Sequence, residues 1–188
     1  ESRKIGMALG YWMGDMPQVY WWRQQEGSGG QFIEQTTHMV DLLRCLLGEV
    51  DEVYAAFAHR AMKDMHDNVS VHDVGTATLK LKSGAVAAIS NTCILPESEK
   101  VGLVIYTEQG SLDIRADRLI VNEQGRRTEY RNAANPYQRE NEAFIHAVRT
   151  GETSGILSSY EDAVRTMEIT YAALQSAETG LPVKIGNH

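Results

Sequence analysis

The sequence predicts an α+β fold, with an open, mainly antiparallel β-sheet and helices packed on one face. Strand patterns follow one another between residues 50 and 131 without an intervening helix. One amphipathic helical pattern precedes this run and two follow it, an order typical of an α+β sheet with helices on one side. A chain of 188 residues is long enough for one well-buried core, so we expect a single domain over residues 1–188.

The strands are predicted from alternating or continuous apolar residues bounded by turn residues. They cover residues 4–13, 50–59, 73–82, 85–93, 100–106, 111–114, 119–122 and 127–131. The two-residue break Ser83-Gly84 joins two of them as an antiparallel hairpin, and the later strands pair off in the same way. The sequence therefore predicts an antiparallel meander.

Three helices are predicted from apolar residues at helical spacing. They cover residues 34–47, 137–150 and 160–179, and each is followed by a glycine, which commonly ends a helix: Gly48, Gly151 and Gly180. The segment at residues 17–22 is irregular and aromatic, and residues 26–30 form a loop before the first helix.

Composition narrows the classes of partner. The formal net charge is −7 and Lys and Arg form no cluster, which argues against nucleic acid because phosphates require a basic surface. No run reaches the roughly 20 apolar residues of a membrane span, so we expect no membrane contact and a cytoplasmic protein. Cys45 and Cys93 are too few for a disulfide framework, and Cys45 is expected to pack against the sheet.

The first helix carries the most informative side chains. Glu34, His38 and Asp41 fall on one stripe of a helix at about 100° per residue. A histidine near neutral pH with a carboxylate one turn away can move a proton. The alternative is a solvated polar face, which is common on surface helices.

A zinc site is disfavoured because His38 has no second histidine at helical spacing, and no metal is predicted. His66 and His72 lie in a polar loop where solvated side chains are expected.

An aromatic segment precedes the glycine loop. Trp21, Trp22 and Arg23 place two large rings beside a guanidinium, which suits a polar ring-shaped ligand, although core filling by the tryptophans is an equal alternative. The loop Ser28-Gly29-Gly30 lacks the preceding strand and the G-x-G-x-x-G spacing of a dinucleotide site. The sequence therefore predicts no nucleotide-binding unit.

Several segments together resemble the carboxy-terminal domain of the glucose-fructose oxidoreductase, inositol dehydrogenase and rhizopine-catabolism (Gfo/Idh/MocA) family. They are SGGQFIEQTTHMVDLLRCLLGEV, LKLKSGAVAAIS, YTEQGSLDI, FIHAVRTGE and DAVRTMEITYAALQSAETGLPV. Family members join a Rossmann domain to an α+β domain, with the active site between them. The resemblance implies that this chain is the substrate-binding and oligomerisation domain, with the amino-terminal dinucleotide-binding domain missing.

The resemblance also implies roles for individual residues. His38 takes the place of the family's catalytic histidine, and Glu34 takes the place of its acidic residue, as a second catalytic residue that would orient and tune His38. Asp41 takes the place of the trailing aspartate. Arg23 and Trp22 are expected to contact substrate together with Asp41. The family often has aspartate and glycine where this chain has Glu34 and Thr36.

The implied activity is hydride transfer between the CH–OH group of a sugar or polyol and NAD or NADP. The family's catalytic lysine and cofactor glycines belong to the domain that is missing, so no cofactor is expected on this fragment, which should be inactive alone.

Two other functions remain open. Small and β-branched residues, Thr76, Thr78, Ala88, Ser90 and Thr92, would suit a sheet face covered by a second subunit, which favours a homodimer or tetramer and allows a non-catalytic assembly or sugar-binding module. A relative of the family could also use NAD as a resident redox aid in glycoside cleavage.

Overall fold

A nine-stranded open sheet forms the frame of the molecule in the computed structural model, which describes residues 4–186. The strands are β1 (Ile5–Met13), β2 (Val50–Ala58), β3 (Val74–Leu81), β4 (Val86–Thr92), β5 (Lys100–Thr107), β6 (Gly110–Arg115), β7 (Arg118–Glu123), β8 (Arg126–Arg131) and β9 (Val183–Lys184). Their order is β8-β7-β6-β5-β1-β4-β3-β2-β9. The α+β class with a mainly antiparallel sheet is confirmed.

The first strand lies in the middle of this sheet. β1 pairs parallel to β4 on one side and antiparallel to β5 on the other. Its residue Trp12 is opposite Asn91 in β4 and Val101 in β5. The meander prediction did not include this parallel pair, because strand alternation reports which face is buried and not which neighbour a strand chooses.

Three helices lie between β1 and β2, and two longer helices follow β8. A fourth, one-turn helix lies between β2 and β3, where the sequence predicted strands without an intervening helix. The helices are α1 (Gln25–Ser28), α2 (Gln31–Glu34), α3 (Thr37–Leu47), α4 (Met62–Met65), α5 (Pro136–Thr150) and α6 (Tyr160–Thr179), and a 3-10 turn covers Tyr20–Arg23. Gly151 and Gly180 end α5 and α6 in the left-handed conformation, with φ of 77° and 70°. Both of these predicted helix ends are confirmed.

The predicted helix at residues 34–47 is broken into α2 and α3. The backbone N–H of Thr36 donates to Gln31 O at 2.9 Å, and that of His38 donates to Gln35 O at 3.2 Å, in place of regular helical bonds. The side chain of Gln31 fixes α2 to the sheet, because it accepts from Asn91 Nδ2 at 2.7 Å and donates to Thr92 O at 3.0 Å. This tertiary anchor, which local periodicity does not report, sets α2 in its own direction.

The main core lies between one face of the sheet and helices α3 and α6. Val40 and Leu43 of α3 are fully buried and pack with Leu79 and Ile89 of the sheet. Cys45 lies on the outer side of α3 and is exposed. The expectation that Cys45 packs against the sheet is therefore wrong.

A smaller core holds the segment that leads into the first helices. It consists of Met16, Trp22, Met62, Val69, Val71 and Cys93. Burial raises the pKa of the Cys93 thiol to about 12. This cluster joins the entry segment to the loop between β2 and β3.

Helix α5 stands apart from both cores. None of its 15 residues is buried, and its apolar side chains Phe144, Ile145 and Val148 are exposed to solvent. Leu157, in the loop that follows, is 99% exposed. Within the part of the chain that the structure describes, no other element covers this apolar surface.

No helix among residues 4–186 is long and apolar enough to cross a membrane.

Candidate active site

His38 lies in the first turn of α3 with its side chain exposed. Its imidazole stacks on the indole of Trp12 in β1, with 5.9 Å between ring centroids and 30° between ring planes. This separation lies within the range of offset aromatic stacking. The exposed position agrees with the expectation for half of a split active site, while the catalytic role of His38 stays a prediction.

Glu34 ends α2 and is held by a tryptophan. Its Oε2 accepts a hydrogen bond of 2.7 Å from Trp22 Nε1. Although Glu34 and His38 both lie among the described residues, no hydrogen bond or ion pair joins them. The break between α2 and α3 explains this, because one continuous helix would have set the two side chains one turn apart.

The position of Trp22 favours core filling, the alternative to substrate contact. The residue is 1% exposed and packs in the smaller core. Its indole N–H donates to Glu34, and contact of Trp22 with substrate stays a prediction. Its neighbour Trp21 is 51% exposed and takes the surface position that the sequence analysis assigned to the aromatic pair.

Arg23 is half-buried at the end of the 3-10 turn. Its Nη2 donates to Gln18 Oε1 at 3.0 Å. Its Nε is buried without a hydrogen-bond partner in the described part of the chain. Because this nitrogen is buried, its free N–H is not open to a ligand, and contact of Arg23 with substrate stays a prediction.

Asp41 belongs to a structural network between α3 and α6. Its Oδ1 accepts from Thr166 Oγ1 at 2.8 Å and lies 4.0 Å from Arg44 Nη1. Asp162 Oδ1 of α6 accepts from Arg44 Nη2 at 3.0 Å. These contacts give Asp41 a role in joining two helices, and a role in substrate binding stays a prediction.

The glycine pair before α2 makes a turn rather than a phosphate cradle. Gly29 closes α1 with φ of 75°, and Gly30 precedes α2 with φ of 89°. A Cβ at Gly29 would meet the Ile33 side chain at 2.9 Å, so the space beside it is already filled. The residues present here therefore do not fit the pyrophosphate of a dinucleotide, which needs an open backbone cradle at a helix amino terminus.

Of the two polar-loop histidines expected to be solvated, His66 and His72, the second is half-buried and pairs with His59. His72 stacks on His59 with 4.5 Å between ring centroids and contacts Phe57 at 5.8 Å. Burial lowers the pKa of His72, and the nearby His59 and Lys63 lower it further. Across residues 4–186, no group of three or more His, Cys, Asp or Glu side chains is arranged to hold a metal ion.

Trp12 is the site residue that the sequence analysis missed. It is the residue before the last one of β1, and in the sequence it was only part of the strand predicted at residues 4–13. The sequence feature that could have pointed to Trp12 is its place near the end of a predicted strand. The pairing of β1 at the centre of the sheet is what brings the indole under α3.

Comparison with known protein families identifies the class of protein to which this chain belongs. Residues 3–113 match the model of the GFO/IDH/MocA C-terminal domain, which is more than half of the chain. The chain belongs to the Gfo/Idh/MocA family.

Two curated relatives are similar over most of this chain. D-xylose 1-dehydrogenase (NADP(+)) 2 of Haloferax volcanii is 30% identical in an alignment of 168 residues that covers 84% of this chain and 49% of the relative. Myo-inositol 2-dehydrogenase of Thermotoga maritima is 29% identical in an alignment of 173 residues that covers 84% of this chain and 50% of the relative. The chain thus spans about half the length of the curated relatives it matches.

Solved structures share the fold. The WlbA dehydrogenase from Bordetella pertussis, in complex with NADH and UDP-GlcNAcA, has a TM-score of 0.73 at 24% identity and is matched over 98% of this chain and 56% of its own. A levoglucosan dehydrogenase in complex with NADH and levoglucosan has a TM-score of 0.79 at 20% identity, over 97% of this chain and 59% of its own. At these identities the likeness concerns the fold.

Proposed function

We propose that this chain is the carboxy-terminal, substrate-binding domain of an NAD(P)-dependent oxidoreductase that acts on the CH–OH group of a sugar or polyol. The observation that carries the proposal is the exposed imidazole of His38 at the start of α3, in a chain that belongs to this family; the anchored carboxylate of Glu34 ends the preceding helix α2. The names of the curated relatives, a xylose and an inositol dehydrogenase, support the substrate class.

His38 would accept the proton of the reacting hydroxyl. Oxidation of an alcohol removes one proton from oxygen and one hydride from the carbon that bears it, and a general base assists the first of these steps. An exposed imidazole is open to a substrate that approaches from outside this domain. When bound to the other part of the protein, the nicotinamide cofactor supplies the acceptor for the hydride.

Glu34 would orient the substrate. One of its oxygens is occupied by Trp22 Nε1, and this hydrogen bond fixes the carboxylate while the second oxygen remains an acceptor for a hydroxyl. Trp21, which is exposed, offers an apolar ring face, and Arg23 offers a donor. Carboxylates, donors and ring faces together suit a polyhydroxylated ligand.

The cofactor would be held outside this chain. The glycine pair does not fit a dinucleotide, so we expect the 188-residue chain to show no dehydrogenase turnover by itself. In the longer protein that the half-length matches indicate, this domain would supply substrate orientation and the proton acceptor, two contributions that depend on position.

A substitution at His38 tests the proposal. In the full-length protein, His38→Ala should reduce kcat by about 10²–10⁴-fold, the usual contribution of a general base, because no other group described near the site replaces the imidazole. Oxidation of xylose, inositol and related polyols would be followed by NAD(P)H absorbance. His146→Ala is the matched control, because His146 is an exposed histidine of α5, and it should leave kcat unchanged. Turnover of His38→Ala near the wild-type rate would overturn the assignment.

A second candidate function, assembly through the open sheet face, is favoured by one observation. The face opposite α3 and α6 exposes Met7, Tyr54, Val86 and Tyr106 on neighbouring strands, around the small residues Thr76 and Ala88. Exposed apolar groups on a flat sheet suit a self-complementary interface. We propose that this face joins copies of the chain.

Sedimentation equilibrium tests the assembly. The wild-type chain should form a dimer or tetramer, and the double variant Val86→Lys/Tyr106→Lys should be monomeric because it places charges at the centre of the interface. Leu157→Lys, at an exposed apolar residue away from the sheet, serves as the control and should keep the wild-type mass. A strictly monomeric wild type would contradict the proposal.

A further inference from the structure

We propose that Trp12 is the residue that positions the His38 imidazole, and that Glu34 does not. The inference rests on the proposed function of His38 as proton acceptor. It changes the role of Glu34, the acidic residue that the family resemblance makes the partner of His38.

The first support is the rigidity of Trp12. Its backbone is paired on both sides, to Asn91 of β4 and Val101 of β5, and its side chain is half-buried against the main core. A side chain of this kind has little rotamer freedom left. Its indole is therefore a fixed surface below the first turn of α3.

The second support is the isolation of His38 from other partners. The imidazole makes no side-chain hydrogen bond within residues 4–186, and its ring contact is with Trp12 at 5.9 Å. An exposed histidine without such a contact exchanges among several rotamers. Stacking at an interplanar angle of 30° removes rotamers that carry the ring away from the indole, which keeps the imidazole in one orientation.

The third support is the commitment of Glu34 elsewhere. Its carboxylate bonds to Trp22 Nε1 at 2.7 Å, and the Gln35-Thr36 break separates its helix from that of His38. Orientation of a general base matters because proton transfer requires the acceptor within hydrogen-bond reach of the hydroxyl. Trp12 would supply this orientation through ring contact, as a positioning residue.

Histidine ring protons measured by NMR in the 188-residue chain give a readout that needs no activity. In the wild type, the ring protons of His38 should be displaced from those of exposed His146 by the ring current of Trp12. Trp12→Leu should reduce this displacement by about twofold or more, whereas Trp12→Phe, which keeps an aromatic ring, should retain part of it. Glu34→Gln should leave the His38 signals unchanged.

Kinetics of the full-length protein give the second arm. Trp12→Leu should lower kcat by about 10-fold to 10²-fold with KM nearly unchanged, because a misplaced base reacts more slowly while the substrate contacts remain. Trp12→Phe should restore part of the loss. Circular dichroism of each variant verifies that it folds, and if Trp12→Leu does not fold, Trp12→Phe and Glu34→Gln still decide between the two positioning residues.

The outcomes separate this inference from the proposed function. His38 signals that are unchanged in both Trp12 variants, or that move in Glu34→Gln instead, would overturn the role of Trp12. If the Trp12 variants alter the His38 signals as expected but His38→Ala retains full turnover, the proposed function fails while the structural contact stands.

Discussion

Asp73 shows how one buried residue organises a loop of this protein. It is 1% exposed, and its carboxylate accepts backbone N–H groups of Arg60, Ala61 and Met62 at 2.7–2.8 Å. Burial alone would raise the pKa of this carboxyl, but the three hydrogen bonds outweigh burial and lower the pKa below 3.8. The charged form is thus favoured in the folded state, and it closes the loop beside the smaller core.

Asp73→Asn should lower the free energy of unfolding by about 1–3 kcal/mol at neutral pH, because it weakens hydrogen bonds of a buried charged acceptor. Since the folded pKa is depressed, the wild-type carboxylate stabilises above the unfolded value of 3.8, and this contribution is lost as pH falls through the folded pKa. Urea unfolding at neutral pH and at steps below pH 4 should therefore show the two proteins converging in acid.

Asp67→Asn is the control for this effect. Asp67 lies in the same loop region and is exposed, so the substitution should change the free energy of unfolding by less than about 0.5 kcal/mol. If the wild type exceeded Asp73→Asn in free energy of unfolding by the same amount in acid as at neutral pH, the role given to the Asp73 carboxylate would be contradicted.

At the scale of elements, one arginine joins α3 to α6. Arg44 is a charged residue whose side chain is 3% exposed. It donates to Glu49 Oε1 at 2.9 Å, to Asp162 Oδ1 at 3.0 Å and to Thr166 Oγ1 at 2.8 Å. Burial by itself would lower the pKa of the guanidinium, but hydrogen bonds to Glu49 and Asp162 raise it, so the charge is retained and compensated.

Arg44→Met should lower the free energy of unfolding by about 1.5–3 kcal/mol, because it removes hydrogen bonds to charged groups while it keeps most of the side-chain volume. The measurement is urea unfolding at neutral pH. Lys184→Met is the matched control: Lys184 forms an exposed ion pair with Asp51, and pairs of that kind contribute about 0–1 kcal/mol. Equal losses for the two variants would mean that burial of Arg44 adds nothing.

At the scale of the whole molecule, residues 4–186 leave apolar side chains exposed on the open sheet face and on the side of α5 formed by Phe144, Ile145 and Val148. An amphipathic helix normally buries its apolar side against a core, and within the described residues α5 buries none of it. The stability of this chain should therefore depend on α3 and α6 and not on α5.

The double variant Phe144→Ser/Val148→Ser should leave the free energy of unfolding of the chain within about 0.5 kcal/mol of the wild type, because exposed side chains contribute little. Leu43→Ala should lower it by about 2–5 kcal/mol, since Leu43 is fully buried in the main core. Chemical denaturation of the three proteins measures both values. A large loss in the double variant would show that α5 packs against the body of the chain in solution.

The sequence was a good guide to elements and a weaker guide to their arrangement. The strand hairpins, the long helices and the stops at Gly151 and Gly180 follow from local chemistry: side-chain alternation, apolar spacing and left-handed glycines. The division of the first helix was missed because Gln31 bonds to β4, about 60 residues away. The partnership of Trp12 with His38 was missed for the same kind of reason.

What the sequence determined by itself is the α+β class and the candidate residues Glu34 and His38, because periodicity and motif spacing are properties of the chain alone. The resemblance of several segments to the Gfo/Idh/MocA family added the expected family. Tertiary structure decided how those residues are used. It buried Trp22 and bonded it to Glu34, placed Trp12 under His38, and drew Asp41 into the Arg44 network. The physical reason is that these contacts join residues from separate elements, so their partners depend on strand order and helix direction rather than on neighbouring sequence.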